Sequence, residues 1–322
     1  MPKILESLGL VSRAEFLLPN LGSLIMGLAW GVTPPISLVD FVVLVVLSFT
    51  IINLSSAIGA QANTFSDYEL DKRDERKKLL VRAFESLGRR RVRMLMIGEF
   101  LFALALVSVF MLIQGKPILL SMWIVGISLG WAYSAPPLRI KSRSWLAPVT
   151  LILVLAVFPV LFAYYTFASS VGLYFILSLA GLALTVYGVI VPTKIRDFFG
   201  DKAMGIETMT VRLGLVKASL LSIVLLGVGA VLTGMGFVFE FFSLQQPLLS
   251  VFLLVVAVAV VFVLGKFRRL YLLSKEYERS GGEDSVGEQI VSLSADNPRW
   301  IMMVTQTYSL VSIVLLVTKF LV

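Results

Sequence analysis

The chain has neither cysteine nor histidine among its 322 residues. That excludes disulfides, thiolate chemistry, haem ligation through imidazole and zinc sites of the usual kind. Charge is scarce too, at 15% of residues against 58% hydrophobic, with a mean hydropathy of +0.92. A soluble globular domain is rarely so apolar, so the composition assigns an integral membrane protein. Met1 to Arg13 lacks a signal-peptide pattern, and the apolar stretch that follows is too long for one. The formal charge of +8 then reads as cytoplasmic loops facing anionic headgroups, with no nucleic-acid partner.

What the chain has is long apolar runs. A spanning helix needs about 20 predominantly apolar residues. Nine segments meet that measure: roughly 14–32, 38–62, 94–114, 117–134, 146–167, 171–193, 215–239, 247–266 and 299–320. Turn signals separate them at Pro34-Pro35, Gly115-Lys116-Pro117, Pro136-Pro137, Ser169-Ser170 and Gln245-Gln246-Pro247. With this alternation every Lys and Arg except Lys116 and Lys319 falls on one side. The predicted fold is all-α, with nine transmembrane helices in one bundle around a central cavity. Its N-terminus is cytoplasmic, its C-terminus is outside, and residues 1–322 form a single domain. The cytoplasmic cap segments are about 63–93, 135–145, 194–214 and 266–298. The last is the longest polar stretch and reads as a lid or a connector, ending at a helix start with Asn297 as N-cap and Pro298 at N1.

Chemistry concentrates where apolar runs stop. In Asn63-Thr64-Phe65-Ser66-Asp67-Tyr68-Glu69-Leu70-Asp71, the residues Asn63, Asp67 and Asp71 recur every four positions and share one helix face. Asp74 lies one turn further on, while Glu69 points away. A second pair, Asp197 and Asp201, closes a later apolar run at the same spacing. The two segments end predicted spans four apart, hence on one membrane face, as a parallel internal repeat would place them. Neighbouring carboxylates repel unless a cation sits between them, and hard oxygen donors suit Mg²⁺ shared with phosphate. Basic residues stand nearby to meet phosphate charge: Arg139 and Lys141 after Tyr133-Ser134-Ala135-Pro136-Pro137, together with Arg76, Lys77, Arg82, Lys194 and Arg212. Tyr133 can donate to phosphate or present its ring to a cation. Arg89-Arg90-Arg91-Val92-Arg93 reads as a topology signal that touches anionic lipid. Phe158, Phe162 and Tyr164 are equally candidates for a cavity floor and for core packing.

These residues resemble the UbiA superfamily of intramembrane prenyltransferases, in an archaeal-type form. Asn63 to Asp71 is similar to the family's first motif, NDxxDxxxD, and Asp197-Phe198-Phe199-Gly200-Asp201 to the second, DxxxD. Gly205 to Gly214 fits the usual continuation, and Tyr133 to Lys141 resembles the segment after the fourth helix. The resemblance implies Mg²⁺-dependent transfer of an isoprenyl group from a prenyl diphosphate to a lipophilic acceptor, at a site facing the cytoplasm in the cell membrane. It implies Asn63, Asp67, Asp71, Asp197 and Asp201 as metal ligands, the four aspartates being catalytic. Asn63, Tyr133, Arg139, Lys141, Arg76 and Lys194 would hold the diphosphate. Thr64 stands in place of the motif's second acid, and Lys194 where many members carry another. The missing histidines turn the reading away from haem-O-type chemistry. Geranylgeranyl transfer to geranylgeranylglyceryl phosphate is the first specific expectation, and an aromatic, quinone-type acceptor the alternative. The rival of another class is a secondary transporter or cation channel, whose acids usually sit near the bilayer midplane. No obligate protein partner is evident.

Overall fold

The computed structural model describes residues 4–72, 77–203 and 205–322. All regular structure among them is helical, without strands: α1 (Ile4–Val11), α2 (Leu17–Gly31), α3 (Leu38–Asp71), α4 (Lys78–Leu87), α5 (Arg89–Gln114), α6 (Pro117–Ser134), α7 (Leu146–Ile152), α8 (Phe158–Phe167), α9 (Leu173–Ala203), α10 (Met209–Leu213), α11 (Leu215–Ser243), α12 (Leu253–Arg279), α13 (Asp284–Ala295) and α14 (Asn297–Leu321). A π-helical turn, Leu153–Val157, joins α7 to α8. Eight stretches among the described residues are long and apolar enough to cross a membrane: 38–71, 89–114, 117–134, 146–167, 173–203, 215–243, 247–279 and 284–321. These correspond to eight of the nine predicted spans. The remaining one, 14–32, is a 3₁₀ turn, Ala14–Phe16, followed by the 15 residues of α2.

Two long helices carry the acidic segments. α3 starts at Ser37, whose hydroxyl accepts from Asp40 N at 3.0 Å, and runs 34 residues with no proline. That length is about 51 Å, well beyond a hydrocarbon core of about 30 Å, so the polar end extends past the apolar part. α9 has 31 residues and continues through Pro192 to Ala203. α5 ends at Gly115, whose φ of 61° gives the left-handed C-cap that a side chain would resist.

The described chain forms two compact units, Met1–Ile140 with Phe158–Ala168, and Lys141–Val157 with Ser169–Val322. In the first, α2 meets α8 backbone to backbone: a Cβ on Gly27 would come within 2.5 Å of Ala163 Cβ and Val160 O. The core around Leu28, Ile51, Ala103, Phe110 and Trp123 fills between these helices and α5 and α6. Phe162 packs there against Phe110 at 6.2 Å, and Tyr164 is equally buried. In the second unit α9 and α11 press together through small residues. A Cβ on Gly229 would lie 2.5 Å from Thr185 N and 2.6 Å from Gly181 O. Close approach through small residues is how helices associate where lipid supplies no hydrophobic drive.

Two sequence-based expectations are corrected. The polar stretch 266–298 is not a loop: α12 continues to Arg279 and α13 follows Gly281 and Gly282, which take φ of 72° and 98°. Phe267, Leu270 and Leu273 recur at helical spacing and are buried, while Arg268, Arg269 and Leu272 are exposed. The amphipathic period outlasts the apolar run. Asn297 is not an N-cap either. It begins α14 with Asp296 before it, and its fully buried amide donates to Val189 O and to Thr193 Oγ1 of α9.

Candidate active site

The first unit gathers one set of predicted residues. The last turns of α3 point Asn63, Asp67 and Asp71 along one face, and both carboxylates are buried, at 7% and 4% exposure. Two buried anions a turn apart require counter-charge. The fold supplies it. Arg139 Nη2 lies 3.3 Å from Asp67 Oδ1, and Lys77 Nζ lies 2.6 Å from Asp71 Oδ1. Ser134, at the end of α6, donates to Asn63 Oδ1 at 2.9 Å. Tyr133 beside it is half-buried, within the electrostatic reach of Asp67.

Arg139 reaches Asp67 from a backbone with φ of 37°, a left-handed conformation uncommon for a side chain of this size. Its N–H bonds Ala135 O at 2.9 Å, closing the turn after α6. Such strain persists only where the surroundings enforce it, and it tends to occur at functional sites.

The opposite face of α3 is structural. Tyr68 donates to Glu85 at 2.9 Å and packs on Phe84, while Arg89 and Arg93 lie over the Phe65 ring at 4.7 and 5.5 Å. Glu69 is exposed, as its position off the acidic face predicts, with Lys72 at 4.0 Å. The Tyr68 side chain, which Lys72 bonds, holds that ammonium above its usual pKa.

The second unit carries the other acidic pair on the last turns of α9. Asp197 and Asp201 are half-buried. Arg196 Nε is 3.2 Å from Asp197 Oδ1, the Thr208 side chain bonds Asp201, and the half-buried Lys194 acts on Asp201 through its charge. Backbone bonds fix the turn that follows, with Ile206 N on Asp201 O at 2.8 Å and Arg212 N on Thr208 O at 3.0 Å. The Arg212 side chain is exposed and pairs with Glu207 at 2.6 Å. Phe198 and Phe199 anchor this end of α9 against Val286, Ile290 and Tyr277.

Lys141 sits in the short 3₁₀ turn Ile140–Ser142 and belongs to the second unit. Arg76 and Asp74 lie outside the described residues. Arg82 is exposed on α4. Ser134 and Thr208 were not among the predicted residues. Nothing in sequence marks Ser134, whereas Thr208 follows a glycine turn close behind Asp201.

The donors fit Mg²⁺. Each segment offers two carboxylates, the first with an amide oxygen beside them, and the chain has neither cysteine nor histidine. Among the described residues no three acidic side chains gather. Mg²⁺ is normally held by one or two carboxylates, with phosphate and water completing its shell.

The family model of the UbiA prenyltransferase family matches residues 20–278. No curated protein sequence matches the chain. Solved structures resemble it along most of its length. That of a digeranylgeranylglyceryl phosphate synthase gives a TM-score of 0.65 at 12% identity, covering 96% of this chain and 99% of the other. A UbiA homologue from Archaeoglobus fulgidus bound to GPP and Mg²⁺ gives 0.59 at 17%, covering 89% and 99%. The apo UbiA homologue from Aeropyrum pernix K1 gives 0.57 at 14%, covering 94% and 98%. At such identities the likeness is one of fold.

Proposed function

The chain belongs to the UbiA prenyltransferase family, and from that premise we propose that it transfers an isoprenyl group from an allylic prenyl diphosphate to a lipophilic acceptor, using Mg²⁺. The observation that carries this reading is the buried Asp67–Asp71 pair with Arg139 and Lys77 against it. Asn63, Asp67 and Asp71 on the first segment, and Asp197 and Asp201 on the second, would be the metal ligands. When bound, Mg²⁺ would offset the charge that develops on the departing diphosphate. Arg139, Lys141, Lys194, Arg76 and Tyr133 position the phosphate oxygens, so that the C1–O bond breaks with its electron pair leaving on diphosphate. The allylic cation forms among apolar side chains that exclude water, and an acceptor nucleophile attacks C1 and gives up its proton.

The topology proposed with this reading counts α2 as a ninth span. Its 15 residues and the preceding 3₁₀ turn rise together about 28 Å, close to the hydrocarbon thickness. The N-terminus is then cytoplasmic, the C-terminus outside, and the acids face the cytoplasm within one functional domain. The two basic residues on the other side have internal partners. Lys116 donates to the carbonyls of Tyr165, Thr166 and Ala168 at 3.0–3.2 Å, and Lys319 pairs with Glu240 at 3.3 Å.

Geranylgeranylglyceryl phosphate is the proposed acceptor, supported by likeness of fold to the digeranylgeranylglyceryl phosphate synthase. The test is product analysis after incubating purified protein with labelled geranylgeranyl diphosphate and, separately, this glyceryl phosphate or an aromatic quinone precursor. A labelled diether phosphate product is expected. Product with the aromatic acceptor alone would replace the acceptor class and keep the reaction. A transporter would yield no product with either.

A further inference from the structure

The acids of α3 and the cations against them differ in freedom. The Asp67 and Asp71 side chains are 10% and 5% exposed, on a continuous helix, whereas Arg139 and Lys77 are each 39% exposed. The cations come from separate places: Lys77 from the residue before α4, and Arg139 from the turn after α6. The carboxylates are the buried half of each pair, and the cations are the more exposed half.

We infer that Lys77 and Arg139 are internal counter-ions that keep the α3 carboxylates closed to bare divalent metal and pass to phosphate oxygens when metal and diphosphate arrive together. This rests on the reading of α3 as a metal-binding segment. A bare Mg²⁺ approaching Asp71 meets an ammonium already 2.6 Å from that carboxylate. It must displace that charge into water or share the site against repulsion. A metal–diphosphate complex brings anionic oxygens with it, so the displaced ammonium and guanidinium gain charge-assisted bonds in exchange for those they lose. Metal and diphosphate binding are therefore positively coupled in this protein, and the coupling resides in these two side chains. Lys77 becomes a positioning residue, although the sequence ranks it no higher than its basic neighbours. The coupling also keeps ionising chemistry from starting on a half-assembled site.

The test uses purified full-length protein and two affinities. Mn²⁺ binding without any diphosphate is followed by the paramagnetic resonance of the free ion. Binding of a thiolodiphosphate analogue of geranyl diphosphate is followed calorimetrically at saturating Mg²⁺. Lys77→Met is expected to tighten bare Mn²⁺ binding about tenfold and to weaken the analogue by a similar factor. Arg139→Met should move both affinities the same way, while Lys77→Arg, which keeps the charge, should behave as wild type. This opposition of sign is what a merely structural role would not give. Unchanged or weaker bare-metal binding in both Met variants would overturn the inference. If Asp71→Asn also leaves Mn²⁺ affinity unchanged, the site reading falls with it. Loss of Mn²⁺ binding in Asp71→Asn alongside unaltered Met variants would sink the exchange alone.

Discussion

Among the described residues, Asp67 and Asp71 are the charged side chains most withdrawn from solvent. Burial of this kind is costly unless a counter-charge or metal offsets it, so their value is expected in chemistry rather than in stability. Asp67→Ala and Asp201→Ala should each lower transfer at least about a hundredfold, the scale of losing a group that stabilises developing charge. Turnover and the thermal unfolding midpoint in detergent check this together: activity should fall while the midpoint holds. Near-normal turnover in either variant would contradict the assignment. The four-residue spacing made these acids legible, because a helix face can be read from the sequence. Which of the nearby cations pairs with each acid was not. Lys77 reaches Asp71 from the residue before α4, and Arg139 reaches Asp67 from a left-handed backbone that no sequence rule assigns to arginine.

At the scale of the element, helix contacts that admit no side chain fix where the acidic ends lie. Gly229 and Gly227 make a controlled pair on α11. A Cβ at 229 would strike backbone atoms of α9 at 2.5–2.6 Å, whereas at 227 nothing lies within 4 Å. Gly229→Val should destabilise by at least about 2 kcal/mol through overpacking. Gly227→Ala should be neutral, or stabilising by up to about 1 kcal/mol, since a helical glycine gives up backbone entropy. Thermal unfolding of the two variants in one detergent separates these outcomes. The pattern behind the contact is visible in sequence: Gly181, Thr185 and Gly188 on one helix, Gly229, Thr233 and Gly236 on the other. Helix ends were harder to place. Polar composition between 266 and 298 suggested a loop, but a helix leaving the bilayer turns amphipathic before it stops, and α12 does so to Arg279. Asn297 looked like a cap because Pro298 follows it; its fully buried amide instead bonds Val189 O and Thr193 Oγ1 of α9.

For the whole molecule, membrane class and helix content followed from hydropathy alone, since about 20 apolar residues in a row leave few alternatives. The count was less secure. α2 is short and mostly buried, and its length is the quantity a hydropathy window measures least well. Orientation is open to a clean experiment because the chain has no cysteine. Ser169→Cys should react with an impermeant maleimide on intact cells, and Ser280→Cys only after lysis. The reverse pattern would invert the topology. The central claim is that the acids of α3 and α9, with Mg²⁺, ionise a prenyl diphosphate for transfer. It is tested most directly by diphosphate release from labelled geranylgeranyl diphosphate in the presence of acceptor, with Mg²⁺ or with chelator, in wild type and in Asp67→Ala. The expected result is release that needs Mg²⁺ and is lost in the variant. Release that survives both the chelator and the substitution would contradict it.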